Sequence, residues 1–310
     1  MATIKFTYNG VDITDSVDIL RCWHEMNAES IADSLEMIVD DTSNLWGRWK
    51  PQKGDELSIV AGDVKTGTMH LHETIQENAQ YRLFASTLPI NAKEKRSKAW
   101  QDVRLLQMGQ EIAKRHNLKF ESYSIEDVRF GYKLQDNEHD FLFMSRICTL
   151  EGCAFLIYDG TLVMYCERTY ESIEPIDTIE LTDSSSFRLF DNSDTRCGSC
   201  EFVKGIYKGV FKDKSGISLV HKPNLQFSVS STAEANRYAR GLLRNHNKQA
   251  YTGFIRFDEI IPMYIPTSVF ELKSEKVPSW NGPVFITRVR NDYINDKNKV
   301  FFRKTLGGEY

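Results

Sequence analysis

The stretch from Asp136 to Tyr165, DNEHDFLFMSRICTLEGCAFLIYDGTLVMY, constrains the fold of this chain more than any other. Its first half has helical spacing. At about 100° per residue, Phe141, Phe143, Met144, Ile147, Cys148 and Leu150 sweep one apolar arc, with Ser145, Arg146 and Thr149 opposite. Asn137 is the expected N-cap, and Glu138 and Asp140 place negative charge at the positive end of the helix dipole. Gly152 stands where a left-handed residue would end the helix. Two apolar runs follow, Ala154–Tyr158 and Thr161–Tyr165, joined by Asp159-Gly160, a two-residue link that signals a tight hairpin. Alternation puts Phe155, Ile157, Leu162 and Met164 on one face and Leu156, Tyr158, Val163 and Tyr165 on the other. Both faces are apolar, so the helix can cover only one. The second, carrying either Phe155 and Ile157 or Leu156 and Tyr158, needs a cover from another domain or another subunit.

The flanking regions read as β. Ile4, Phe6 and Tyr8 alternate up to Asn9-Gly10, and Val11 and Ile13 lead away from it, a second hairpin by the same turn chemistry. Leu35–Val39, Glu56–Val60, Thr68–Ile75 and Gln80–Ser86 are short strands at the spacing of a small barrel or sandwich, with Trp46 and Trp49 in a connection between them. Ile90 to Lys98 reads as a charged linker, followed by a helix over Gln101–His116 with Leu105, Leu106, Ile112 and Ala113 on one side. From Thr178 onward the pattern returns to β around one helix, opened by the capping box Ser231-Thr-Ala-Glu234. Strands are expected at Tyr251–Phe257, Ser268–Leu272, Val284–Arg290 and Lys299–Thr305. An echo links the two β regions. Leu57/Ile59, Gly67, Met69–Ile75 and Tyr81–Ser86 parallel Val269/Leu272, Gly282, Phe285–Val289 and Val300–Lys304, an order that either a duplication or chance could produce.

Composition narrows the function classes. A 310-residue chain with 41% hydrophobic and 26% charged residues is long enough for two or three ordinary globular domains. A formal charge of -4 argues against a general nucleic-acid binder. No apolar run approaches the roughly 20 residues of a membrane helix, and MATIKFTYNG lacks a signal-peptide pattern. Cys22, Cys148, Cys153 and Cys166 lie in apolar segments, and Cys197-Gly-Ser-Cys200 has no second ligand pair to complete a zinc site. His70 and His72 share a strand face without a third ligand and read as an exposed polar face. Tyr132, Phe141 and Phe143 read as core rather than a base-stacking platform. None of the nucleophile-elbow, zincin, phosphate-loop or dinucleotide motifs is present. No cofactor or metal is expected.

Four stretches together carry a resemblance: Ala32–Asp41 (ADSLEMIVDD), Ser86–Trp100 (STLPINAKEKRSKAW), Asn137–Tyr165 with Asp140, Phe141, Leu142, Gly152, Asp159 and Gly160 at its fixed points, and the helix with its following strand, Thr232–Gly253. In this order they resemble the central baseplate hubs of contractile injection machines, the late-control gene D and VgrG hub family. The standalone hubs of Gram-positive phages and phage-tail bacteriocins are the nearest in style. The resemblance implies a mostly β (α+β) fold of two small β-barrel tube domains, residues 1–94 and 171–310, the second with an inserted helix at 232–246. Between them lies a helix-plus-hairpin α/β domain, residues 95–170. It further implies a homotrimer, a late structural protein of a virion or tail-like particle, assembled in the bacterial cytoplasm. Its ring would adapt a hexameric tail tube to a trimeric needle or spike. Its partners would be the tail-tube, needle or spike, other baseplate and tape-measure proteins, with no membrane insertion, no sequence-specific nucleic-acid binding and no catalysis. No appended spike and no lysozyme or peptidase insert is visible. Phe141, Gly152, Phe155, Leu156, Ile157, Tyr158, Asp159 and Gly160 are the structural or interface candidates. The alternatives are a hydrolase of peptidoglycan or another polymer, using carboxylates or His70/His72, and a carbohydrate- or nucleic-acid-binding barrel protein.

Overall fold

The computed structural model describes residues 4–307 and 310, so Met1–Thr3 of the N-terminal stretch lie outside the described residues. The first region holds β1 (Ile4–Tyr8), β2 (Val11–Asp12), β3 (Ile19–Asn27) and β4 (Ser34–Asp40), then α1 (Leu45–Trp49). It continues with β5 (Glu56–Ala61), β6 (Val64–Lys65), β7 (Met69–Glu77) and β8 (Gln80–Ser86). The middle comprises β9 (Lys95–Arg104), α2 (Leu105–Arg115), β10 (Lys119–Tyr123), β11 (Arg129–His139), α3 (Asp140–Glu151), β12 (Cys153–Tyr158), β13 (Thr161–Cys166) and α4 (Glu167–Glu171). Next come β14 (Thr178–Glu180), β15 (Ser186–Asp191), β16 (Ser199–Lys204), β17 (Tyr207–Lys212), β18 (Val220–His221) and α5 (Thr232–Asn247). The chain closes with β19 (Tyr251–Phe257), β20 (Val269–Lys273), β21 (Gly282–Asp292) and β22 (Lys297–Lys304). Strand accounts for 46% and helix for 21%, so the fold is mostly β as expected.

The main sheet follows the order β15-β19-β22-β21-β3-β4-β8-β7-β5-β1-β2, with β14 and β20 attached to β21 and β6 to β5. The path is open at both ends. Its two halves are joined where β3 pairs antiparallel with β21, Met26 opposite Val289 and Trp23 opposite Asp292.

The two halves repeat each other register for register. The succession β3-β4-β8-β7-β5 matches β15-β19-β22-β21-β20. In the first, Leu35 faces Ala85 and Leu71 faces Ala85 from the other side; in the second, Gly253 faces Phe302 and Ile286 faces Phe302. One extra residue interrupts the corresponding strand in each, His72 in β7 and Thr287 in β21. Even the closing bonds correspond. Leu71 donates to the carbonyl of Asp55 and accepts from Gly54, while Ile286 donates to Ser268 and accepts from Thr267. Gly54 (φ +94°) and Thr267 (φ +77°) share the left-handed backbone that this turn requires. The outermost strands differ, since β1 runs antiparallel to β5 whereas β14 runs parallel to β20.

In the middle section the stretch read as a charged linker is a 3-10 turn over Ile90–Lys93 followed by the start of a strand at Lys95. β9 pairs along its length with β11 in a two-stranded ribbon, burying Trp100 beneath Lys98, whose ammonium sits 3.8 Å from the indole centroid. The helix behind it therefore starts at Leu105, not Gln101. α3 likewise starts at Asp140, with His139 and not Asn137 at the N-cap position and no side-chain cap bond. Asn137 instead occupies a left-handed position (φ +48°) in a β-bulge between Gln135 and Glu138, where its N–H donates to Ser97 Oγ. At the other end Gly152 (φ +69°) closes the helix by donating to the carbonyls of Cys148 and Thr149, as expected. Asp159 (φ +43°) and Gly160 (φ +71°) form the turn of the β12–β13 hairpin.

α5 opens on the expected cap, Ser231 Oγ accepting from the Glu234 N–H at 3.1 Å, but the Glu234 carboxylate accepts from Ser230 and not Ser231. The helix then crosses α3 at Gly241. A Cβ there would fall 2.2 Å from the carbonyl oxygen of Leu150 and 2.6 Å from that of Thr149. Alanine in a helix interior normally stabilises relative to glycine by about 1 kcal/mol. Here Gly241→Ala is expected to destabilise by roughly 1–3 kcal/mol, the cost of forcing two packed helices apart. Urea unfolding reads the sign directly, and a stabilised variant would refute the close crossing.

Candidate assembly interface

The hairpin's first face lies in the core. Phe155, Ile157, Leu162 and Met164 pack under α2 and α3, with Phe141 6.0 Å from Phe155. The second face is covered at one end only. Ala154 and Tyr165 pack on Ala28, Val269 and Phe285, residues of the two β regions. Leu156 is half-buried, and Tyr158 is 40% exposed. These side chains and Val163 open onto a cleft of about 380 Å³ whose other walls include Val64 and Tyr264.

Polar contacts bind the hairpin to the first β region. Ser30 N–H donates to Phe155 O (2.9 Å), and Phe155 N–H donates to Ser30 Oγ (3.2 Å). At the turn, the Asp159 carboxylate accepts from the N–H and hydroxyl of Thr68, both at 3.2 Å. Gly67 lies so close that a Cβ would meet Asp159 at 3.1 Å. The Glu29 N–H donates to the Tyr165 hydroxyl at 3.1 Å.

Beneath this joint sits a buried ionic set that sequence reading missed. Arg303 of β22 bonds Glu29 of the β3–β4 loop at 2.7 Å and Glu171 of α4 at 2.5 Å. Arg244 of α5 pairs with Glu171 and with Glu167 (3.4 Å), and Lys248 reaches Glu167 at 3.0 Å and Glu29 at 3.6 Å. Three carboxylates and three cations thus balance. Burial by itself would raise the Glu167 carboxyl, but Lys248, Arg303 and Arg244 outweigh it and hold it below the usual range. Charged residues are spread throughout the sequence, so no local pattern marks these six.

Two further buried sets resemble catalytic groupings at first sight. His116 Nε2 lies 2.9 Å from Asp140, with Arg115 (2.8 Å) and Gln135 (2.8 Å) on the same carboxylate. His116 Nδ1 is 2.9 Å from Asn91, so both ring nitrogens are engaged and neither is left to activate a nucleophile. Lys133, wholly buried, bonds Glu234 at 2.8 Å, and Tyr238 donates to the same carboxylate at 2.8 Å. This ties α5 to β11.

Among the expected candidates, His72 Nε2 bonds the Leu88 carbonyl at 2.9 Å, and the bulge at His72 breaks the alternation that paired it with His70. Cys197 and Cys200 are buried free thiols, Cys200 pushed up to about 12 by burial, which disfavours the thiolate that metals and nucleophilic chemistry need. Among the described residues no group of three or more His, Cys, Asp or Glu side chains could hold a metal ion. Phe141 and Phe143 are core, whereas Tyr132 is 38% exposed.

No family model and no curated protein matches this sequence. Solved structures do match its fold. A tail protein from Neisseria meningitidis MC58 superposes with a TM-score of 0.75 at 12% identity, over 97% of this chain and 96% of its own. The 43 kDa tail protein of prophage MuSo2 from Shewanella oneidensis gives 0.75 at 10% identity, over 97% and 98%. The Escherichia coli c3393 protein, a type VI secretion component similar to the T4 tail proteins gp27 and gp5, gives 0.64 at 12%, over 99% and 78%. The chain shares the fold of these tail and type VI secretion proteins.

Proposed function

We propose that this chain is a structural hub of a contractile tail or injection machine, a trimeric ring that adapts a hexameric tail tube to a trimeric needle or spike. The observation that carries this reading is the register-for-register repeat within a fold shared with tail proteins. Two nearly equivalent sheet units per chain supply six in a trimer. Such a ring offers near-sixfold symmetry to a tube on one side and threefold symmetry to a needle on the other. In this reading each unit is a tube-type barrel, residues 1–94 and 171–310, and residues 95–170 are the α/β joint between them. The second hairpin face, with Leu156 and Tyr158, is a contact for a neighbouring subunit or partner. Tail-tube, needle or spike, other baseplate and tape-measure proteins are the partners, and the working place is the baseplate of a virion or tail-like particle.

The reading assigns no catalysis. The buried His116–Asp140 pair is saturated by structural partners, and His72 serves a strand bulge. Native mass spectrometry tests the assembly. The purified chain is expected as a homotrimer, alone or on addition of needle protein. A strictly monomeric species in both cases would overturn the hub reading.

A further inference from the structure

The repeat leaves two strand edges open, and each is the counterpart of an edge that is closed within the chain. β3 pairs with the C-terminal half of β21 at the junction of the two halves. Among the described residues, the counterpart of β3 is β15, which pairs only with β19, and the counterpart of that half of β21 is Glu73–Glu77 of β7, which pairs only with β8. An exposed edge of this kind is a template for another strand.

We infer that β15 of one copy pairs antiparallel with residues 73–77 of β7 in the next copy, repeating between chains the junction that β3 and β21 make within one. This rests on the hub reading and specifies how its subunits join. The register follows from the matched bulges. His72 corresponds to Thr287, so Ile75 corresponds to Arg290 and Glu77 to Asp292. On the other side Leu35 corresponds to Gly253, so Glu25 corresponds to Phe190 and Trp23 to Arg188. Within the chain Arg290 lies opposite Glu25, and Asp292 opposite Trp23. Between chains Ile75 therefore lies opposite Phe190, and Glu77 opposite Arg188.

That transferred register places complementary groups together without adjustment. Ile75 and Phe190 are both exposed large hydrophobic residues, 38% and 41% accessible. Glu77 and Arg188 are exposed and opposite in charge. The corresponding positions inside the chain are also complementary: Arg290 bonds Glu25 at 2.6 Å, and Trp23 donates to Asp292 at 3.0 Å. A slip by one residue would turn every one of these side chains to the wrong face.

Residues directly opposite in antiparallel strands have Cα atoms about 4.5–5.5 Å apart, within disulfide range. The full-length Ile75→Cys/Phe190→Cys variant, oxidised, is expected to give covalent multimers on non-reducing gels, while Ile75→Cys/Leu189→Cys, shifted by one, is not. Glu77→Arg and Arg188→Glu are each expected to raise the concentration for half-assembly by about fivefold, and the double reversal to restore it. An oligomer that links in neither cysteine variant, or equally in both, overturns the pairing while leaving the hub reading intact. Specific linkage in chains whose native mass does not close at three supports the pairing and overturns the trimeric hub. A monomer at all concentrations overturns both.

Discussion

Arg303→Ala is expected to lower the unfolding free energy by roughly 3–5 kcal/mol, the cost typical of removing one partner from a buried ion pair. Arg303 is 1% exposed, and its guanidinium is the direct partner of both Glu29 and Glu171. Removing it leaves two carboxylates with less compensating charge in a largely buried region, and the remaining Arg244 and Lys248 cannot neutralise all three. Met in place of Arg303 keeps most of the side-chain length but not the charge, and is expected to be nearly as damaging. Lys212→Ala, exposed on β17, serves as a control expected within about 0.5 kcal/mol of the parent. Urea unfolding at neutral pH measures all three. An Arg303→Ala cost no greater than the control's would show that the ionic set contributes nothing to holding the joint. The six charges come from the β3–β4 loop, α4, α5 and β22, so they make one arrangement of these segments far better satisfied than its neighbours.

The second large effect appears only when pH is varied. His24 is fully buried beside Tyr293 (2.9 Å), and burial holds its imidazole down to about 3. Its unfolded value is about 6.5, so between these limits the unfolded chain binds a proton that the native chain does not, and stability falls as pH falls. Asp33 behaves in the opposite sense. Burial pushes its carboxyl up to about 7 despite the bond from the Asn27 N–H (2.7 Å). Its unfolded value is about 3.9, so native protein takes up a proton first and stability rises as pH falls. Each slope is about 1.4 kcal/mol per pH unit, and between roughly pH 4 and 6.5 they cancel.

Asp33→Asn removes one of the two. Relative to the parent it is expected to lose about 3 kcal/mol between pH 6.5 and pH 4, while His24→Phe gains a similar amount over the same range. Chemical denaturation at half-unit pH steps distinguishes these outcomes, and three parallel stability curves would rule out the compensation.

Local chemistry carried much of the fold into view. The Asn9-Gly10 and Asp159-Gly160 turns were readable because a tight hairpin needs positive φ at both central positions, which few residues other than Asn, Asp and Gly adopt easily. β8 and β19 have the bounds that alternation assigned them. The apolar arc of α3 and the division of the hairpin into two apolar faces were likewise legible from period, but which face lies inward was decided by packing under α2 and α3. β9 was not. Half of its side chains are charged and most are exposed, and it is a strand because β11 supplies partners along its whole length. Asn137 was misplaced for a related reason. A residue suited both to a cap and to left-handed backbone was claimed by the β11 bulge.

The amino-acid order alone was enough for the hairpins, the helix stripes, the mostly β character and the faint echo between the two β regions, because each rests on contacts within a few residues. The pairing of β3 with β21, the matched registers of the two halves and the ionic set beneath the joint were settled by folding. These link segments up to 274 positions apart, as Glu29 and Arg303 are. Such links depend on which surfaces remain unburied once the local elements have formed, and no spacing within the sequence encodes that.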